Sequence, residues 1–227
     1  MINFLRKLYY EKYSKKSYSA SAVDLVIARI FRNQKKGFYI DIGCNHPIKF
    51  SNTYLLYKKG WRGINIDADK ESIVQFNKFR PNDININIGI SSKKGLENFY
   101  VYHSRSALNT FNYDLTKKRK AKVKNINELQ VNTLNNVIEN SQFNRKRFDL
   151  LSIDIENHEY EALKYFNFKK YKIKMIVIEL INLNFRKIET QNQDVNFLLR
   201  TKIYKLLIRN NYKLINWVNS DLIFYRQ

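Results

Sequence analysis

In the stretch Leu151-Ser152-Ile153-Asp154-Ile155-Glu156-Asn157-His158-Glu159, an apolar run gives way to four polar or titratable side chains: Asp154, Glu156, His158 and Glu159. A histidine titrates near pH 6.5 and can take a proton at neutral pH. Carboxylates beside it can orient it or accept the proton themselves. Two other apolar runs end in the same way. Phe38-Tyr39-Ile40-Asp41-Ile42 leads into Gly43-Cys44-Asn45, and Gly63-Ile64-Asn65-Ile66 ends on Asp67. Open parallel sheets bind ligands outside the carboxyl ends of their strands. These three endings therefore predict one shared cleft.

The elements that would position these residues follow from hydrophobic spacing. Residues 1–36 read as helical, with Leu5, Leu8 and Tyr9 on one face and Val23, Val26, Ile27 and Ile30 on another. Between them, Ser17-Tyr18-Ser19-Ala20-Ser21 offers N-cap residues for the second helix. From Gly37 the pattern alternates. Strands are predicted at 38–42, 63–67, 84–90, 97–102, 148–155, 174–181, 212–218 and 221–226. Helices are predicted at 51–59, 70–79, 131–140, 158–165 and 195–210. Such alternation gives an α/β fold with a doubly wound, mainly parallel seven-stranded sheet. The turn residues Asn219-Ser220-Asp221 make the far edge an antiparallel hairpin. The chain divides into an N-terminal helical appendage, 1–36, and a catalytic domain, 37–227.

The chain has 227 residues, 44% hydrophobic and 15% aromatic, enough for one real core. No apolar run is long enough to span a bilayer, and the N-terminus lacks a secretory pattern. A single cysteine, Cys44, excludes an internal disulfide and fits a reducing, cytoplasmic setting; it reads as a small packing residue. Trp61 and the Tyr54-Leu55-Leu56-Tyr57 stripe read as core. The net charge of +21 has two readings. One is a polyanionic partner such as nucleic acid, an acidic membrane met through the basic N-terminus, or an anionic glycan. The other is the Lys, Asn, Ile and Tyr richness of an AT-rich genome. The run Lys117-Lys118-Arg119-Lys120-Ala121-Lys122-Val123-Lys124 is either a solvated loop or a basic rim to the cleft.

The glycine pattern separates cofactors. Dinucleotide sites want Gly-x-Gly-x-x-Gly, and a P-loop wants Gly-Lys-Ser/Thr. Here the first strand is followed by a single Gly43, then Asn45 and Pro47. Asp67, about two dozen residues on, stands where an acid accepts hydrogen bonds from ribose hydroxyls. A one-glycine loop with no pyrophosphate cradle suits a nucleoside without phosphates, of which S-adenosylmethionine is the common case.

Three blocks resemble the FkbM-type S-adenosylmethionine-dependent methyltransferases: Tyr39–Pro47, Gly60–Asp67 and Leu151–Glu159, within roughly residues 37–182. The resemblance implies a Rossmann-like fold. It also implies that Asp41, Gly43 and Asn45 cradle the methionine part, that Asp67 holds the ribose, and that Ser91 lies near the adenine. Asp154 counts with both the cofactor residues and the catalytic set Asp154, Glu156 and His158. Glu159, Glu179 and Ser106 are assigned to the substrate. Glu179 ends a strand facing the cleft, and Ser106 lies in His103–Thr110, which resembles a small-residue loop that would cover the cleft as a lid. Two positions depart from the family: Asn157 and Pro47 each stand where many members carry glycine. Asn tolerates positive φ, whereas Pro removes an amide and fixes φ.

The expected reaction is O-methylation of a hydroxyl on a sugar, nucleotide-sugar or glycan precursor. RNA methylation and a non-catalytic basic binding protein are the alternatives. No metal ligand is assigned: the acids are read as binding hydroxyls and capping the next helix, with a divalent cation as the alternative. A homodimer through the basic N-terminus is a further expectation.

Overall fold

A computed structural model describes residues 14–181 and 194–227. The predicted face of Leu5, Leu8 and Tyr9 lies outside the described residues. The elements run α1 (Val23–Ile30), β1 (Phe38–Ile42), α2 (Tyr54–Lys58), β2 (Arg62–Asp67), α3 (Lys70–Phe79), β3 (Ile84–Asn87), β4 (Gly89–Ile90), β5 (Gly95–Val101), α4 (Tyr113–Lys118), β6 (Asn125–Asn132), α5 (Leu134–Glu139), β7 (Leu150–Ile153), α6 (Glu159–Leu163), α7 (Phe168–Tyr171), β8 (Met175–Glu179), α8 (Val195–Arg200), α9 (Lys202–Arg209), β9 (Tyr212–Val218) and β10 (Asp221–Arg226).

Seven strands form one sheet in the order β3-β2-β1-β7-β8-β10-β9. The first five are mutually parallel, and β10 pairs antiparallel with both β8 and β9. From β1 the chain builds outward to β2 on one side and returns later to β7 on the other. This reversal opens a crevice at the carboxyl ends of β1 and β7.

Strand periodicity covers both faces. Tyr39, Leu150, Met175, Val177 and Ile223 point to one side, where Val23 and Ile27 of α1, Leu56 and Trp61 meet them. Ile40, Ile42, Leu151, Ile153, Ile176 and Ile178 point to the other, under α5, α6 and α9. Helix α1 thus shares its core with the sheet.

Several boundaries differ from the expectation, each for a local reason. The alternating run 84–90 changes sheets at Ile88. Ile84–Asn87 pairs with β2, whereas Gly89–Ile90 pairs with β6 in a second, three-stranded sheet, β4-β6-β5. β6 gives little sequence signal because its apolar residues follow no buried face: Ile126 is exposed, Leu129 half-buried and only Val131 buried. The helix expected at 131–140 begins at Leu134, since Thr133 caps it by accepting from Asn136 N. The helix expected at 195–210 breaks at Thr201, which takes extended backbone and caps α9 through Tyr204 N. The serine stretch before α1 is organised by Asp24. Its buried carboxylate accepts from Ser17 Oγ at 2.6 Å and Tyr18 N at 2.7 Å, while Ser19 Oγ accepts from Asp24 N at 3.2 Å.

One buried cation holds the loop after β1. Arg80, fully buried, donates to Pro47 O at 2.8 Å, Thr53 Oγ1 at 2.7 Å and Ser51 Oγ at 2.6 Å. Thr53 passes a hydrogen bond on to Asp41 Oδ2. Removing the guanidinium would leave Asp41 buried without its counter-charge, a class of change that costs about 3–5 kcal/mol. Urea unfolding of Arg80→Met is expected to show a loss of about that size. A loss near zero would mean that Arg80 does not hold this loop.

Candidate active site

The crevice at the ends of β1, β2 and β7 is a cleft that opens to solvent. Gly43, Asn45, Asp67, Ser106, Asp154 and Glu156 all line it, as expected from the sequence. Phe99, Arg105 and Phe111 line it as well and carried no recognisable signal.

Gly43 is the tightest point. It takes φ +74, and a Cβ built there would stand 1.7 Å from the carbonyl oxygen of Asp154. Its amide donates to Ile66 O at 2.9 Å, and the Cys44 amide donates to the same carbonyl at 3.2 Å. The loop is thereby clamped across β1, β2 and β7. Cys44 packs on Ile73 and Phe76 of α3, as its small-residue role predicts, and burial pushes its thiol well up. Asn45 takes φ 49, and its amide donates to Asp67 Oδ2 at 2.8 Å. Asp67 Oδ1 accepts from Asp69 N at 2.8 Å. Burial lifts Asp67 to about 6 against the pull of these amides. Asp41 is also raised to about 6 by burial, opposed by Arg80 and Thr53. Asp41 lies behind the loop and does not line the cleft; it supports Gly43–Pro47 from below.

After β7 the chain turns sharply. Glu156 and Asn157 adopt φ 57 and 64 in succession. Asn157 is therefore left-handed where many family members place glycine. The turn throws Asp154 to the open cleft and Glu156 to its wall. Glu156 pairs closely with Arg119, both nearly buried. Burial, then the charge of Asp154, lift Glu156 to about 7 against that guanidinium. Arg119 also donates to Leu108 O at 2.5 Å. Within the basic run, therefore, Arg119 belongs to the cleft. The sequence marked the run but not this residue. Glu179, at the end of β8, comes beside Asp154 and Glu156, as sheet geometry predicts. Burial, reinforced by those two charges, raises its carboxyl well above the usual range. Burial likewise raises Asp154.

The remaining expected residues lie next to the cleft. His158 is buried with Nε2 at 3.2 Å from Ser91 Oγ and 3.6 Å from Glu97, and its ring stacks obliquely on Phe111. Burial lowers its pKa, so it is neutral at physiological pH. Ser91 donates to Glu97 at 2.7 Å. Glu159 Oε1 accepts the Ile155 amide at 2.9 Å and so braces the turn, and burial raises it to about 8. The loop 103–112 bridges both halves of the site. The Arg105 amide donates to Asp69 at 2.7 Å, Thr110 Oγ1 to Glu156 O at 2.9 Å, and Asn112 Nδ2 to Asn157 O at 2.8 Å. Residues of this loop, from Arg105 to Phe111, line one wall of the cleft.

Gly43→Ala is expected to lose about 3 kcal/mol or more, combining left-handed strain with overpacking. At position 157, Ala should cost about 1 kcal/mol while Gly stays near neutral. Thermal unfolding of the three variants checks both; an Ala at 157 as stable as Gly would show that the turn does not need positive φ.

Among solved structures, a TehB-like SAM-dependent methyltransferase from Corynebacterium glutamicum aligns over 99% of this chain and 97% of its own, at 12% identity and a TM-score of 0.45. That distance leaves the site to be argued from its own residues. No curated protein sequence matches the chain. The model of the methyltransferase FkbM domain matches residues 41–206, from the acid of β1 to the helix before the terminal hairpin. With well over half of its length covered by that model, the chain belongs to the FkbM family of S-adenosylmethionine-dependent methyltransferases.

Proposed function

We propose that the protein methylates a hydroxyl of a sugar, nucleotide-sugar or glycan precursor. The observation that carries this reading is the group of carboxylates, Asp154, Glu156 and Glu179, at one end of the cleft, opposite Asp67 at the other. S-adenosylmethionine supplies an electrophilic methyl on a sulfonium. Its fit is supported by the Gly43 cradle, which any side chain would fill, and by Asp67, whose carboxylate suits two ribose hydroxyls.

The carboxylates suit an acceptor rich in hydroxyl donors. They would repel the phosphates of RNA, which disfavours the runner-up acceptor. Asp154 is the acid with surface open to the cleft. On methylation of the acceptor, Asp154 would take the hydroxyl proton. Its carboxylate, open to the cleft, is placed to take that proton. His158, with Nε2 against Ser91 and Glu97, acts as a positioning residue for the turn behind it. Loop 103–112 and Arg119 close the acceptor end against water. Among the described residues no helix is long and apolar enough to cross a membrane. The basic N-terminus remains our proposed contact for an anionic membrane or a second copy.

Calorimetric titration with S-adenosylhomocysteine is expected to give micromolar binding that Asp67→Ala abolishes. Absence of binding by the folded wild type would sink the cofactor assignment. Binding should also weaken as pH falls through about 6, by up to tenfold per unit, because the ribose hydroxyls favour ionised Asp67 and its proton must first be expelled. A flat profile from pH 5 to 8 would remove Asp67 from that role. With a panel of nucleotide sugars and glycans as acceptors, Asp154→Asn should lower turnover by about 10²-fold or more. Full turnover would place the base elsewhere.

A further inference from the structure

The acids at the acceptor end have more negative charge than their surroundings neutralise. Oxygen atoms of Asp154, Glu156 and Glu179 all lie within 4.8 Å of one another. They come from separate backbone sites: the end of β7, the left-handed turn after it, and the end of β8. Among the described residues, the ion pair reaching this group comes from Arg119. With all three ionised, three carboxylates against one guanidinium would leave an excess of two negative charges.

Glu179 shows the deficit at one atom. Its Oε1 accepts from Ser220 Oγ at 3.2 Å. Its Oε2 is shielded from solvent and receives no hydrogen bond. Between Glu179 and Asp154, two carboxyl groups stand close enough to share one proton. A buried oxygen left in this way costs free energy unless something positive occupies the gap. Either a proton or a metal ion would.

We infer that Asp154, Glu156 and Glu179 bind one divalent cation, Mg²⁺ or Mn²⁺, at the acceptor end of the cleft. Opposed oxygens around such an ion lie about 4.1 Å apart, and around Ca²⁺ about 4.8 Å, so the observed grouping admits ions of this size. An all-oxygen set selects hard cations over zinc or copper. A charge of two matches the excess. Asp154 keeps surface toward the cleft, which leaves coordination positions for water or an acceptor oxygen.

This assignment replaces the sequence expectation that the acids only hydrogen-bond and cap. Among the acids of this turn, Glu159 takes the bracing role, through the Ile155 amide. The site's use in catalysis rests on the methyltransferase reading above. There the cation would hold the acceptor hydroxyl and lower its pKa, and would favour acceptors with a neighbouring hydroxyl as second ligand.

The test is Mn²⁺ titration of the full chain, without cofactor or acceptor, followed by the paramagnetic resonance of free Mn²⁺. One site per chain is expected, weakened tenfold or more in Glu179→Gln and in Glu156→Gln. Mn²⁺ should also raise the melting temperature of the wild type and not of the variants. Glu179→Gln can keep its Ser220 hydrogen bond, and Glu156→Gln serves should that variant fold poorly. Wild-type protein that leaves Mn²⁺ free up to about 5 mM, beyond the weakest protein sites, would overturn the inference in favour of a shared proton. Equal binding by both variants would overturn it in favour of a surface site. S-adenosylhomocysteine binding measured in parallel separates the two conclusions, since it tests the cofactor without the cation.

Discussion

The cleft depends on how closely the backbone of Gly43 approaches the carbonyl of Asp154. β1 and β7 are hydrogen-bonded neighbours, and the chain leaves both at the same level, Ile42 beside Ile153. The loop after β1 must turn back over β2, while the loop after β7 must turn away beneath it. With a Cβ at position 43 the two would overlap. Because the position has none, the amides of Gly43 and Cys44 reach Ile66 O, the Asn45 amide reaches Asp67, and Asp154 arrives at the cleft floor. One missing methyl group thereby couples the proposed cofactor end of the site to its acid end.

Two buried polar networks hold this arrangement from behind. In one, Arg80 gathers Pro47, Ser51 and Thr53 and balances Asp41. In the other, Asp83 accepts from the Tyr39 hydroxyl, the Gly63 amide at 2.9 Å and Asn65 Nδ2 at 3.0 Å, tying β1 and β2 to the start of β3. Buried polar groups are tolerated when satisfied, and satisfied networks fix one geometry. Arg80 also explains how Pro47 is accommodated. The Pro47 carbonyl accepts from the buried guanidinium, which anchors the loop at that residue.

Charge is divided unevenly between surface and site. The chain carries +21 overall, yet Asp67, Asp154 and Glu156 line the cleft and Glu179 stands beside the last two. Arg119 is the point where the basic run enters the cleft, and its pairing with Glu156 also ties down Leu108 in loop 103–112. Burial raises Asp67, Glu156 and Glu159 to about 6, 7 and 8 respectively. Each is thus costlier to ionise in the fold than in water.

Much of the architecture is legible in the sequence because it is local. Strand endings at Asp41, Asp67 and Asp154 and the hairpin at Asn219-Ser220 depend on residue types a few positions apart. The glycine pattern separates cofactor classes in the same local way, and the left-handed Asn157 keeps a turn that many relatives build with glycine. The strand Asn125–Asn132 is not legible, because its pairing with Gly95–Val101 rests on backbone hydrogen bonds and its apolar residues, Ile126, Leu129 and Val131, do not alternate onto one buried face. The break at Thr201 is hidden for a related reason, since a capping threonine and a helical threonine look alike until the chain turns. Which acids face the cleft is decided only in three dimensions. Glu159 turns to an amide and His158 to Ser91 and Glu97 because two consecutive left-handed residues, Glu156 and Asn157, rotate the chain ahead of them, whereas Glu179 meets Asp154 because β8 lies beside β7. Sequence determined the strands, their acid endings and the family. Tertiary structure decided which of those acids share one unneutralised space, since that depends on contacts between segments far apart in the chain.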